Sequence, residues 1–239
     1  MGQGTAASQW FWNLSVAREA SLEMNGNPSS PARGNGKRER TRLALIEAAR
    51  ELIARNGMEN LSVLDITQHL GVSNGIFYYH FQNKDELLEV LGRTVVLDLV
   101  QDIGSVVRND PAERVARGPL VILQHADRHP EQLAIILRVI EDPEGQHADL
   151  GNELQDEIRA GLRKRRFAVE DPTTAMRFCR SLVGAAVRLR LEGSTDRRLA
   201  LKTATQTLMM LGIGAAEARA IARRELVLLS REQTNIRAI

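Results

Sequence analysis

The segment Ser73-Asn-Gly-Ile-Phe-Tyr-Tyr-His-Phe81 holds both tyrosines of the chain side by side. It follows Asp65-Ile-Thr-Gln-His-Leu-Gly-Val72 and precedes Gln82-Asn-Lys-Asp-Glu-Leu-Leu88. Phenol, imidazole and ammonium groups can reach phosphate oxygens and base edges without belonging to a core; Phe and Leu cannot. A helix, a tight Gly turn and a second helix carrying such groups, with Lys84 just beyond, suit the reading of DNA. Periodicity alone leaves a second reading open, an amphipathic helix whose Tyr78-Tyr79-His80 simply snorkel to solvent. The ordered run of cap, Gly turn, aromatic pair and Lys favours the first.

Those side chains need elements to hold them. Leu43, Ile46, Ala49, Leu52 and Ile53 recur at the i, i+3, i+4 spacing of one buried helix face. Asn56-Gly57 suits the C-terminus of that helix. Ser62 can cap the next one, and Asp65 three residues on approaches a capping box. Val63, Ile66 and Leu70 form its apolar stripe, Gly71 suits the turn, and Ser73 can cap the third helix. Downstream the pattern predicts helices at about 83–108, 111–127, 130–141, 146–167, 172–192, 196–211 and 214–230. Pro111, Pro130, Pro143 and Pro172 stand at or near helix starts, where Pro is tolerated. Asp110, Asp142 and Asp171 precede three of these and can cap. There is no alternating strand pattern and no solenoid-type repeat. The expected fold class is all-α.

The bulk numbers are compatible with this and add little. The chain has 239 residues, 43% hydrophobic and 26% charged, with a net charge of +2 and a pI near 9.0. Any basic surface is therefore local. The lone cysteine, Cys179, rules out an intrachain disulfide and a Cys-based zinc site, and agrees with a cytoplasmic setting. No run of about 18 apolar residues suggests a membrane span. Asn25-Gly-Asn-Pro-Ser-Ser-Pro-Ala-Arg-Gly-Asn-Gly36 has linker composition, so residues 1–36 are expected to form a disordered tail. The expected organisation is then a three-helix DNA-binding domain at 37–84, with its helix-turn-helix at about 62–81. A larger helical body would follow at 85–239.

Residues 38–88 closely resemble the N-terminal DNA-binding domain of the tetracycline-repressor (TetR) family. The matching stretches are Arg42-Leu-Ala-Leu-Ile-Glu-Ala-Ala-Arg-Glu-Leu52, Asn56-Gly57, Ser62-Val-Leu-Asp-Ile66 and Leu70-Gly-Val-Ser-Asn-Gly-Ile-Phe-Tyr-Tyr-His-Phe81. Asn83-Lys84 and Leu87-Leu88 follow at the family's spacing. The resemblance implies that Ser73, Asn74 and Gly75 open the recognition helix. It implies that Tyr78 and His80 contact phosphate, that Tyr79 lies along the groove, and that Phe77 and Phe81 pack inward. Lys84 would hold a phosphate, and Ser62 would donate to another from a helix N-terminus. Two positions depart from the pattern. Asn74 stands where Lys is frequent, which removes a phosphate contact or adds a base reader. Ile76 stands where Thr is frequent. Arg38, Arg40 and Arg42 are read either as a solvated helix start or as phosphate partners, since Arg at a helix N-terminus opposes the dipole.

The body has few aromatic residues; beyond residue 81 there are only Phe167 and Phe178. A pocket there would be aliphatic, suited to an apolar or acyl-type effector. Its expected lining is Leu97, Val100, Ile103, Leu123, His125, Ile136, Leu154, Ile158, Phe178 and Leu182, with a plain aliphatic core as the alternative for each. His125, His129 and His147 among Asp127, Glu141, Asp142 and Asp149 invite a metal reading. Pro130 breaks the helix after His129, so the two histidines are expected not to stack, and surface roles are preferred. Cys179 reads as a small core residue, and Arg163-Lys-Arg-Arg166 as a solvated helix end. Phe178, Leu182, Ala185, Ala186, Leu189, Leu201, Ala204 and Leu208 on the last long pair of helices are the expected dimer face. The resemblance implies a four-helix contact between two subunits there.

Read together, these features predict a homodimeric, sequence-specific DNA-binding regulator that recognises an inverted repeat. A repressor released by a small apolar effector is the specific form. An architectural or adaptor protein without an effector is the alternative. An enzyme with a DNA-binding appendage is disfavoured, because no phosphate loop, nucleophile elbow or His-Glu-x-x-His pattern is present. No cofactor or metal is expected.

Overall fold

The structure is a computed structural model that describes residues 33–104, 108–141 and 148–236. Among these the chain forms ten α-helices and no strand. They are α1 (Arg33–Asn56), α2 (Val63–Leu70), α3 (Asn74–His80), α4 (Lys84–Gly104) and α5 (Pro111–Arg128). A 3-10 turn at Pro130–Gln132 leads into α6 (Leu133–Glu141). Then come α7 (Ala148–Arg163), α8 (Pro172–Leu191), α9 (Leu199–Met210) and α10 (Ala215–Ile236). The helix expected from Lys37 already begins at Arg33, so part of the expected tail is helical. Residues 1–32 lie outside the described residues.

The short-range signals act as expected. Ser62 and Asp65 close a full capping box, with the Asp65 N–H donating to Ser62 Oγ at 3.1 Å and the Ser62 N–H donating to Asp65 Oδ2 at 3.1 Å. Gly71 ends α2 in the left-handed region, at φ 66°, which a side chain would strain. Asp110 caps α5 through the Ala112 N–H, and Asp171 caps α8 through the Thr173 and Thr174 N–H groups. Asp142 lies outside the described residues.

Two local expectations needed correction. The buried face of α1 is Leu45, Ala48, Ala49 and Ile53, while Leu43 is 55% exposed. The true stripe is rotated from the expected one, leaving Ile46 and Leu52 at its margin. The helix expected to reach residue 167 stops at Arg163. Arg165 turns left-handed at φ 53°, and the Arg166 N–H returns to the Gly161 carbonyl at 2.7 Å. The chain then doubles back and lays Phe167 on Gly161, where an added Cβ would sit 2.0 Å from the ring. That approach needs glycine, and the contact is invisible to helical periodicity.

Pro119 stands inside α5, where it removes one N–H from the ladder. The helix persists because α5 is buried against α4, α7, α9 and α10, and packing overrides local preference.

One apolar cluster runs from Leu45, Ile66, Phe77 and Phe81 through Leu87, Leu91, Val95 and Leu99 of α4. It continues into Leu120, Leu123, Ile136 and Val187 of the body. Helix α4 thus shares a core with both ends. A second cluster gathers Val115, Ile158, Phe167, Cys179, Leu208 and Ile221. Past the end of α4, Arg108 bonds Glu225, which is 0% exposed, through Nε at 3.1 Å, and reaches Glu232 through Nη2 at 3.2 Å. Buried Arg117 bonds the same Glu232 at 2.6 Å and the Ile103 carbonyl in the last turn of α4 at 3.0 Å. Helix C-termini favour cations, so these guanidinium groups anchor that end of α4 to α5 and α10.

Candidate nucleic-acid interface

Helix α3 is amphipathic on a very short length. Phe77 is 0% exposed and Phe81, just past its end, 1%; their ring centroids are 5.6 Å apart. Together they form the floor under the helix. On the outer side Tyr78 is 58% and Tyr79 62% exposed. A phenol ring left in water beside an apolar core is informative, because large aromatic rings are usually covered. Tyr78 leans edge-on against Phe77, at 5.5 Å between centroids. Tyr79 meets His80 in the same manner at 5.0 Å. Ser73, Asn74 and Gly75 are all exposed at the start of the helix. Ser73 is its N-cap residue by position but makes no side-chain cap bond there.

Three expected contact residues already have partners within the chain. Ser62 Oγ donates to Asp65 Oδ2 at 2.5 Å, so its proton is engaged in the capping box. Lys84 Nζ donates to the Leu61 carbonyl at 2.8 Å and ties the start of α4 to the loop before α2. An ammonium has three donors, so a further contact is compatible with that bond. Asn74 Oδ1 lies 2.6 Å from Thr67 Oγ1 on α2, a link that motif spacing does not reveal. Arg42 lies over the Phe81 ring, 5.1 Å from its centroid, as a cation–π contact on the floor. In the first part of α1, Arg40 Nε donates to the Gly36 carbonyl at 3.0 Å.

The body residues fall less neatly. Leu123, Ile136 and Ile158 are 0–1% exposed and belong to the core. Ile103, Leu154 and Leu182 are half-buried, and the side chains of Leu97 and Val100 lie outside the described residues. Phe178 is 57% exposed on the outside of α8, so it does not line an interior pocket as expected. His125 is buried with Nε2 2.9 Å from Gln132 Oε1. Contrary to expectation, the His125 and His129 rings do meet, at 4.6 Å between centroids. The break at Pro130 comes one residue too late to prevent this, because the His129 N–H still closes the helix on the His125 carbonyl at 2.8 Å. Among the described residues no group of three His, Cys, Asp or Glu could hold a metal; His147 and Asp142 lie outside them. Burial pushes the Cys179 thiol up to about 12, which suits the core role expected for it.

A groove of about 650 Å³ opens along the outside of α8, between it and the end of α6. Ile140, Gly184 and Leu189 give it an apolar floor, and Glu141, Arg177 and Arg188 line it with both signs of charge. None of the residues expected to line an effector pocket takes part in it. Of the expected dimer face, Phe178, Ala185 and Leu189 are exposed and Leu182 and Leu201 half-buried. Ala186, Ala204 and Leu208 are 3%, 0% and 0% exposed, so they have no surface to give a partner. They fill the contact between α8 or α9 and the rest of the chain, a use that helical spacing cannot separate from an outer face.

The helix-turn-helix and the helical body behind it define a class of helix-turn-helix regulatory proteins. Residues 45–91 match the family model for bacterial regulatory proteins of the tetR family, and residues 110–224 match that for a tetracyclin repressor-like C-terminal domain. The two together span most of the chain, which belongs to the tetracycline-repressor family. Among similar proteins is the probable acrEF/envCD operon repressor of Escherichia coli K12, 29% identical over 100 residues. That match covers 41% of this chain and 46% of the repressor, so it spans about half of that relative's length. The HTH-type transcriptional regulator BetI of Brucella canis is 27% identical over 154 residues, 62% of this chain and 75% of BetI. Among solved structures, RolR in complex with resorcinol aligns with a TM-score of 0.58 and 27% identity. The alignment covers 80% of this chain and 96% of RolR. A TetR transcription regulator from Haloarcula marismortui, with a TM-score of 0.55 over 73% of this chain and 97% of its own, is 16% identical and shares the fold. Among the described residues no helix is long and apolar enough to cross a membrane.

Proposed function

We propose that this protein is a cytoplasmic, dimeric transcriptional regulator that binds an inverted-repeat operator and leaves it when a small molecule occupies the body. The observation that carries the DNA reading is the pair Tyr78 and Tyr79, both more than half exposed above the buried floor of Phe77 and Phe81. A core-only helix would turn such rings inward. Ser73, Asn74, Gly75, Tyr78, Tyr79, His80 and Lys84 form the proposed contact surface, Asn74 bonded to Thr67 beneath it, with Ser62 at its edge bonded to Asp65. A binding-only or architectural role is the second reading, and no side chain of the body is assigned a catalytic role.

A single helix-turn-helix binds weakly, so the proposal includes a dimer. The outer face of α8 suits it: Phe178 and Leu189 are exposed, the exposed Ala185 permits close approach, and charges of both signs flank them. A face carrying both signs can be self-complementary across a two-fold axis.

The effector reading rests on α4. This helix begins at Lys84 beside the DNA-reading unit and ends under Arg117 in the body. Its far end is anchored, so a ligand that wedges α5 or α7 would be felt as a tilt at Lys84. Coupling of about 1–3 kcal/mol is typical of such switches. RolR has been solved with resorcinol, which supports a small effector here. The aliphatic body favours an apolar one.

The test is a footprint of the purified protein on DNA from its own neighbourhood, followed by titration of candidate effectors. Protection of an inverted repeat supports the reading, and absence of any protected site on that DNA or on selected random duplexes rejects it.

A further inference from the structure

We propose that Thr67, a buried residue of α2, sets which group Asn74 offers to the operator, and so helps determine base preference at the first position of the recognition helix. The inference rests on the DNA-binding reading above. It concerns the position where this chain departs from its family's frequent Lys.

Thr67 is 1% exposed, and its Oγ1 lies 2.6 Å from Asn74 Oδ1. The same oxygen lies 3.1 Å from the carbonyls of both Val63 and Leu64. A hydroxyl has one proton, so only one of these three oxygens can receive it. The 2.6 Å separation is typical of O–H···O bonds and short for N–H···O. The proton therefore goes to Asn74 Oδ1, and the amide Nδ2 is turned away from α2. Asn74 itself is exposed.

The consequence is chemical. A free Asn clamps adenine with two groups at once, its carbonyl accepting from N6 and its amide donating to N7. Here the carbonyl already accepts a bond in a fixed direction. The carbonyl keeps a second lone pair, but the group is aimed at α2, so Asn74 presents chiefly its Nδ2 donors on the outer surface. A donor suits the acceptors of the major groove: N7 and O6 of guanine, N7 of adenine, or O4 of thymine. It does not suit cytosine, whose major-groove group is itself a donor. Thr67 is a positioning residue in this scheme and Asn74 the reader. The bond also links α2 to α3, so the reader is held on the rigid part of the unit.

The experiment selects bound sequences from a randomised duplex library with the full-length protein, the Thr67→Val, Thr67→Ser and Asn74→Ala variants, and measures binding to the selected sites. Wild type should disfavour cytosine at one position of each half-site by roughly fivefold, the worth of about one hydrogen bond. Asn74→Ala should abolish that preference and leave the others. Thr67→Val keeps the shape but frees the carbonyl, and should move the preference at that position towards adenine. Thr67→Ser restores the hydroxyl and should restore the wild-type preference, which a general loss of folding would not do. Thermal melts of all four proteins separate unfolding from altered reading. If Thr67→Val keeps the wild-type preference while Asn74→Ala loses it, the tether is overturned. If Asn74→Ala changes nothing, the reader assignment is overturned as well. If the wild type selects no sequence at all, it is the DNA-binding reading that fails.

Discussion

The DNA-reading unit and the body use their polar groups in opposite ways. Around α3 the aromatic and amide groups face outward over a small apolar floor: Tyr78 and Tyr79 stand in solvent while Phe77 and Phe81 are sealed. In the body the strongest polar groups point inward and hold one another: Glu225 with Arg108, Glu232 with Arg108 and Arg117. The first arrangement leaves donors available to a partner. The second spends them on fixing helices. The contrast teaches that burial, and not residue type, separates a scaffold charge from one that can meet a partner. Arg117 and Glu225 are as chemically capable as Lys84, yet their position makes them scaffold.

The contrast can be broken first at the floor. Phe77→Ala removes a fully buried ring from the apolar cluster beneath α3. It should cost about 3–5 kcal/mol and release both DNA binding and the cooperative melt of the N-terminal helices. Denaturant unfolding followed by Trp-independent far-UV signal, with a gel-shift assay alongside, checks this. A stable protein that still binds DNA would show that Phe77 is not the floor.

The second break is in the body. Glu225→Gln keeps the shape but removes the charge facing Arg108, and should cost about 1.5–3 kcal/mol, the range for hydrogen bonds to charged groups. The loss should appear in thermal unfolding. Direct contact with DNA is not involved, so operator affinity at low temperature should change far less than for Phe77→Ala. A comparable loss of affinity without loss of stability would mean that this network governs the switch and does more than anchor α4.

Next comes the outer face of α8. Phe178→Glu places a charge on a position that is 57% exposed, so the folded chain should tolerate it. A dimer using that ring should weaken by about 2 kcal/mol or more, which sedimentation at micromolar concentration would read as dissociation. An unchanged dimer would move the interface off this face. Ala204→Glu is the informative contrast. Ala204 is 0% exposed, so that variant should fail by unfolding rather than by dissociating.

These pairs also show what the sequence made legible. The three N-terminal helices and the Ser62 cap were readable because their signals lie within a few residues, as in Ser62 with Asp65; the inward Phe pair came from the family resemblance, and Ser73 makes no side-chain cap bond. The helix order of the body was readable for the same reason. Its use of those helices was not. Ala186, Ala204 and Leu208 share the spacing of Ala185 and Leu189, and only packing against the neighbouring helices decides which side is covered. The bond between Arg108 and Glu225 joins residues far apart in the chain and has no local signature. Phe167 on Gly161 depends on a left-handed Arg165 that no propensity favours. The link from Thr67 to Asn74 escaped for a different reason: both residues have ordinary readings alone, and only the turn at Gly71 brings them together.

The smallest expected effect lies where the two regions join, at Lys84. Its ammonium bonds the Leu61 carbonyl at 2.8 Å and is also the proposed phosphate partner. The two roles make different demands. The bond to Leu61 is neutral to salt and should contribute about 0.5–1.5 kcal/mol to stability. A phosphate contact releases a counterion and should add about one unit to the slope of log affinity against log salt. Lys84→Met retains the aliphatic stem and removes both. Comparing it with Lys84→Arg separates them, since Arg keeps the charge while its planar fork fits a single carbonyl differently. If Lys84 serves both roles, Met lowers the melting temperature and flattens the salt slope, whereas Arg keeps the slope and loses part of the stability. A Met variant with an unaltered slope would confine Lys84 to the chain's interior bonding. The phosphate contact would then fall to the neighbours on α3, and the surface facing DNA would end at His80.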